Sequence, residues 1–291
     1  MSNETGDNAS LGYSFSLGAP GYRTGPQTAS PDPATPPDPA TSSDPATQSA
    51  GPVDAAEGRG EIEFVCDPAL KGLIPEPERA SRFLPDWFRS MQRDMGMPDP
   101  NGLPGLTVKA CLPVTDAFTL GWIIPLPFTV RILVPEDRVN IQMGWAEDVP
   151  FQPVEQHHPG QIGAPAAPFA QTMPLKWMNP WQIRVPDGYS VLFTPPFNHF
   201  QLPFTCFTGL VDCDRFKPRI NFPFAWTGAP GDYTLPAGTP LVQVVPIQRT
   251  SLPTGHTVRA SSEVEQRELA DATDRKFNEE SVYRREWRER K

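Results

Sequence analysis

Asp212-Cys213-Asp214 is the segment of this sequence best equipped for chemistry. In extended backbone, residues two apart share a face, so the two carboxylates would lie side by side. Such a pair can hold a divalent cation or serve as a general base. The same spacing suits a strand end entering a turn, where Asp accepts from nearby backbone N–H groups. The histidines are His157, His158, His199 and His256. Glu155 precedes His157 by two residues, which makes Glu155, His157 and His199 a candidate metal-ligand set. Two common iron-site patterns are missing, however: His-x-His with a carboxylate, and His-x-Asp/Glu with a distant His. The competing reading of His157-His158 is a surface loop ahead of Pro159-Gly160. The sequence contains no Gly-rich phosphate loop and no Gly-x-Ser-x-Gly. No cofactor is therefore expected, and an enzyme is the less favoured reading.

The elements that must position these residues are written as alternation. Trp181–Val185, the turn Pro186-Asp187-Gly188, Tyr189–Thr194, Phe204–Phe207, Leu210–Asp214, Ile220–Phe222 and Leu241–Val245 are short apolar runs between turn residues. That pattern marks half-buried antiparallel strands. Further runs fall at Glu61–Cys66, Leu106–Cys111, Gly121–Ile124, Phe128–Val134 and Val139–Met143, with a hairpin turn at Pro135-Glu136-Asp137. Many short strands at this spacing predict a mainly β fold, an antiparallel β-sandwich or jelly-roll-like core over 61–255. Phe83, Leu84, Trp87, Phe88 and Met91 follow a helical stripe instead, predicting one short helix over Pro85–Arg93 that plugs one side of the core. Residues 146–175 read as a long irregular loop. Trp177, Trp181, Phe197, Phe200 and Phe204 form either an exposed aromatic platform or, the favoured reading, part of a Phe-rich interior.

The two ends differ from the middle. Residues 1–60 hold two basic and seven acidic residues, and three copies of a Pro-Asp-Pro-Ala-Thr-like hexad between Pro31 and Gln48. Each proline fixes φ and removes a donor. Such a segment buries too little apolar surface to offset its ordering entropy, so it reads as an extended, semi-stiff acidic arm able to order along a partner. Residues 256–291 predict a charged C-terminal helix. Ser262-Glu263-Val264-Glu265 fits a capping box, and Glu263–Arg267, Asp271–Arg275 and Glu280–Arg284 are spaced as ion pairs. Phe277, Tyr283 and Trp287 are its candidate partner-binding residues.

Net charge is −9, with no basic stripe outside the tail, so duplex nucleic acid is not an expected partner. The longest apolar run, Leu120–Val130, contains two prolines and reads as strands rather than a membrane span. Met1-Ser2-Asn3-Glu4 shows no signal-peptide pattern. Cys66, Cys111, Cys206 and Cys213 form no C-x-x-C pair, which implies a reducing compartment and free thiols, with a Cys206–Cys213 pairing as the alternative.

Two resemblances add to this. Val185-Pro186-Asp187-Gly188-Tyr189, Gly209 to Phe216 and Gly238 to Val244 resemble the strand order of the β-clip in dUTPases and dCTP deaminases. That resemblance implies a catalytic-aspartate position for Asp212. At the family's Arg-Ser-Gly phosphate motif, though, this chain has Pro195-Pro196-Phe197-Asn198. Leu84-Pro85-Asp86-Trp87-Phe88, Ala110-Cys111-Leu112-Pro113, Asn179-Pro180-Trp181 and Pro186 to Ser190 resemble a set of uncharacterised proteins of tailed phages and bacteria. The second resemblance implies a phage setting, in the host cytoplasm or the virion. The expected function is a non-enzymatic structural or binding protein acting in assembly, as a homo-oligomer or with protein partners. The alternative is a β-barrel enzyme, either a nucleotide hydrolase or a metal-dependent oxygenase.

Overall fold

Alternation in the sequence becomes alternation of faces in the computed structural model of the chain. The structure describes residues 13–15, 60–98, 102, 104–138, 140–157, 174–279 and 282–289. Apart from 13–15 and Gly60, the expected arm lies outside the described residues, as do His158 and most of the 146–175 loop.

The strands, in chain order, are β1 (Tyr13–Phe15), β2 (Glu63–Val65), β3 (Glu78–Arg79), β4 (Asp94–Pro98), β5 (Pro104–Leu106), β6 (Trp122–Pro125), β7 (Val130–Val134), β8 (Gln142–Ala146) and β9 (Val154–Gln156). They continue with β10 (Leu175–Trp177), β11 (Gln182–Arg184), β12 (Tyr189–Thr194), β13 (Phe204–Cys206), β14 (Gly209–Val211), β15 (Phe222–Trp226), β16 (Gly231–Leu235) and β17 (Pro240–Gln248). The helices are α1 (Asp86–Ser90), α2 (Leu112–Thr119) and α3 (Glu263–Asn278). The fold is mainly β, and every strand pairing among the described residues is antiparallel.

Three larger sheets share one interior. Their strand orders are β14-β12-β17-β6-β3, β13-β15-β10-β9 and β1-β8-β7-β16. In β15, Phe222, Phe224 and Trp226 point inward while Pro223 and Ala225 lie nearer the surface. In β7, Val130, Ile132 and Val134 do the same. Leu175 and Trp177 come from β10, and Phe204 and Cys206 from β13. Trp177 stacks on Phe224 at 4.3 Å between centroids and 10° between planes, and Phe204 meets both edge-on. Trp177, Trp181 and Phe204 are therefore core, as the burial reading expects, while Phe200 is 81% exposed.

A smaller aromatic cluster sits beside this core. Phe88 of α1 packs on Phe118 of α2 at 4.5 Å, with Trp87 against both. The expected helix over 85–93 is present but shorter, capped by Pro85 and ended at Ser90. The expected strand over 106–111 is corrected: only Pro104–Leu106 is strand, and the chain then turns through Val108–Ala110 into α2. Gly121 follows α2 at φ +68, where a Cβ would lie 2.1 Å from the Val244 carbonyl oxygen. Only glycine lets this turn approach β17 so closely.

The capping box at Ser262 and Glu265 forms as read from the sequence. Other tail expectations change. The α-helix ends at Asn278, and Tyr283–Trp287 form a separate wide turn. Arg275 pairs with Glu279 and Glu286 in place of Asp271.

Phe224→Ala should lower stability by about 3–5 kcal/mol, because its cavity opens under the Trp177 ring. The check is the urea midpoint at unchanged m-value; a loss below about 1 kcal/mol would contradict the packing described here.

Candidate functional site

The chemistry-bearing residues occupy two separate places. The first is built at one end of the β14-β12-β17 group. Strand β14 ends at Val211, and Asp212 turns the chain: its carbonyl accepts from the backbone N–H groups of Arg215 and Phe216, at 2.9 and 2.8 Å. The turn Pro186-Asp187-Gly188 leads into β12, and β17 delivers Arg249 just past its end. Gly188, at φ +84, donates its N–H to Asp214 Oδ2 at 2.9 Å and accepts from the Arg249 N–H at 2.9 Å.

Arg249 fills the space between these turns. Its Nη2 lies 2.5 Å from Asp214 Oδ2, and its Nη1 is 3.2 Å from Asp214 Oδ1. The same Nη1 donates to the Tyr189 carbonyl at 2.9 Å and lies 3.4 Å from Asp212 Oδ1. Ser190 donates its hydroxyl to Asp212 Oδ1 at 2.6 Å. The two aspartates thus converge, through a turn rather than an extended strand, on a guanidinium. Their environments differ: the Asp214 side chain is 3% exposed and that of Asp212 is 57%. The Arg249 guanidinium, helped by the Gly188 N–H, holds the Asp214 carboxyl well below the usual carboxylate range, outweighing the opposing effect of burial. A carboxylate so held is a poor base. The geometry fits the turn reading, a clamp fastening β12, β14 and β17 together.

The second place is an apolar concavity of about 510 Å³ lined by Pro195, Phe197, His199, Phe200, Leu202 and several threonines. His199 is buried, its ring edge-on to Phe118 at 5.9 Å, with Gln201 Nε2 3.3 Å from Nδ1. Burial pulls its pKa down to about 4, so the imidazole is neutral near pH 7. No carboxylate or cationic side chain is among the described residues lining this concavity.

The remaining candidates are spread. Glu155 in β9 stands opposite Lys176 in β10 and pairs with it at 3.0 Å. His157 extends that pairing through its N–H to the Pro174 carbonyl, at 2.8 Å. Among the described residues, no group of three or more His, Cys, Asp or Glu side chains is gathered to hold a metal ion. All four cysteines are free. Burial raises the Cys206 thiol pKa strongly, and burial, with Asp214 and Asp212 nearby, pushes Cys213 up to about 11. Both are poor nucleophiles near neutral pH. Phe277, Tyr283 and Trp287 are all exposed.

Two residues that the sequence reading passed over are built into these places. Gln243, buried in β17, accepts from the Phe197 N–H at 2.9 Å and donates to the Ala117 and Leu120 carbonyls at 3.0 and 2.5 Å. It ties the end of α2 to the wall of the concavity. Arg249 gave no local signal, since its partners lie 35 and 37 residues earlier. A Gln inside an otherwise apolar strand was the available cue for the first; nothing local marked the second.

No family model matches this chain, and no curated protein matches its sequence. A solved native EIAV dUTPase is similar over 49% of this chain and 83% of its own, at 12% identity and a TM-score of 0.27. A likeness that slight carries no argument about fold or activity here.

Two measurements test the site. Asp214→Asn should lower the thermal midpoint at pH 7. The native carboxyl is depressed, so its stabilisation is present above the unfolded value, near 3.9, and is lost as pH falls through the folded one. The gap between the two proteins should therefore close below about pH 4; a gap unchanged to the acid limit of folding would contradict the clamp. For His199, the unfolded chain takes up its proton first, so stability should fall as pH drops from the usual 6.5 toward about 4. His199→Phe should remove that slope, and an imidazole titrating near 6.5 in the folded protein would refute its burial.

Proposed function

We propose that this chain is a non-enzymatic structural or binding protein that works by association, its partner being a second copy of itself. The observation that supports this most is the C-terminal tail. Helix α3 buries no residue, while Leu269 is 69% and Phe277 55% exposed, with Val264, Tyr283 and Trp287 also open. Leu269, Ala270, Thr273 and Phe277 fall at helical spacing and line one side of α3. A helix whose one small apolar side stays exposed gains stability by pairing.

Charge favours a second copy. Residues 263–274 carry five acidic side chains and one basic, whereas 275–291 carry seven basic and four acidic. Two tails running antiparallel bring each acidic part beside a basic one, which favours that arrangement over the parallel one. The tail is also held at its far end. Val282 is buried, and Arg288 makes a two-point pair with the buried Asp116 of α2, at 2.5 and 3.0 Å. That anchorage presents α3 at a fixed place. The resemblance to tailed-phage proteins supports a setting in a virion or its assembly.

Light scattering behind size exclusion tests the reading with the full chain and with Leu269→Glu/Phe277→Glu. The native chain should elute at a multiple of 32.1 kDa, and the variant at 32.1 kDa with an unchanged far-ultraviolet spectrum. A native protein that stays monomeric at every concentration would overturn the proposal.

A further inference from the structure

Strand β1 is the strand of the N-terminal arm that the structure describes, and it lies on a sheet edge. In the order β1-β8-β7-β16 it closes the outer side of β8, antiparallel, with Tyr13 opposite Ala146, Ser14 opposite Trp145 and Phe15 opposite Gly144. Without it, the outward N–H and C=O groups of β8 would form an open edge, a template for another strand. The edge is firmly backed. Met143 and Gly144 are buried, and β8 pairs with β7 on its other side.

Three residues of strand cannot hold themselves on an edge, since even a whole two-stranded pairing is marginal in water. Along the chain, 47 residues, 16–62, separate β1 from β2. A tether of that length can span up to roughly 155 Å fully extended, against a body about 45 Å across. It gives the chain's own strand an effective concentration on the order of a millimolar or less. A second copy carries the same strand, and the backbone contacts it would make on β8 are identical from either source. Exchange of an identical element between copies has low cost for this reason.

From this geometry we infer that the outer edge of β8 is a strand-docking site that, in the assembled protein, receives residues 13–15 of a second copy. The inference rests on the self-association proposed above and names a second contact for it, distinct from the α3 tail. Each copy then donates one strand and accepts one, and the arms link subunits whose bodies need not touch at β8.

Co-expression of two differently tagged chains tests it, one carrying Tyr13→Cys and the other Ala146→Cys. Both carry Cys66→Ser and Cys111→Ser, leaving the buried Cys206 and Cys213. A disulfide between the two introduced thiols can form only between chains. The expected result is a shift of the non-reduced band from 32.1 kDa to twice that mass, with the linkage located by peptide mass spectrometry and lost on reduction. If the mixed pair stays unlinked, the inference fails, whether or not a chain carrying both substitutions closes on itself. Light scattering on the same sample separates the cases: a multimer without the mixed disulfide overturns strand exchange alone, and a monomer overturns the association on which it rests.

Discussion

The stack of Trp177 on Phe224 is the constraint on which the rest of the molecule depends. These two rings come from neighbouring strands, β10 and β15, and meet face to face in the centre of the interior, with Phe204 of β13 closing on both. Each side chain can sit there only if its strand keeps its register, because a slip of one residue would turn it to the other face. Around them the indole N–H groups of Trp177, Trp181 and Trp226 are buried without a hydrogen-bond partner. Leaving such a donor unpaired costs about 1–3 kcal/mol. These indoles therefore act as bulk, filling a large shared interior with few residues, and the aromatic contacts must outweigh that cost.

With the interior filled by rings, polar side chains are used to fasten its borders. Asn179 is buried and fully engaged: its amide donates to the Trp181 and Ile220 carbonyls, and its oxygen accepts from the Trp181 N–H. Gln243 performs the same task between β17 and α2, and the Asp214–Arg249 pair performs it at the strand ends. In each case a group that could have served chemistry is committed to backbone atoms or to an opposite charge. Buried polar groups satisfied in this way specify one arrangement of the elements.

Many strands with a buried face were legible, but β10 and β16 were not read, and β9 lies inside the stretch read as a loop over 146–175. Tyr189–Thr194 appears at the bounds read from the sequence and β7 alternates within Phe128–Val134 as read, because the two-residue period is imposed by the core itself, whereas the run read at Ile220–Phe222 is strand only at Phe222 and continues to Trp226. Helix α2 was not legible. Its sequence contains Val114, Thr115 and Thr119, residues that favour strands, and its helical form rests on distant contacts, Phe118 beneath Phe88 and Gln243 on its last carbonyls. Pro113 in its first turn was the one local sign. The candidate site was half legible. The extended segment that would put Asp212 and Asp214 on one face is replaced by a turn at Asp212, and their common partner follows only from the sheet order that brings the end of β17 beside β14 across β12. The tail's capping box was readable because it is local; the Arg288–Asp116 anchor, 172 residues apart, was not.

The interior of the body is filled by rings, the Asp214–Arg249 pair fastens its strand ends, and α3 leaves Val264, Leu269 and Phe277 exposed. Hydrogen–deuterium exchange across Glu263–Asn278, measured over a wide range of protein concentration, tests this most directly. The account predicts that these amides exchange quickly in dilute protein and become protected as concentration rises, while the strands of the interior stay protected throughout. Fast exchange of α3 at every concentration would contradict it.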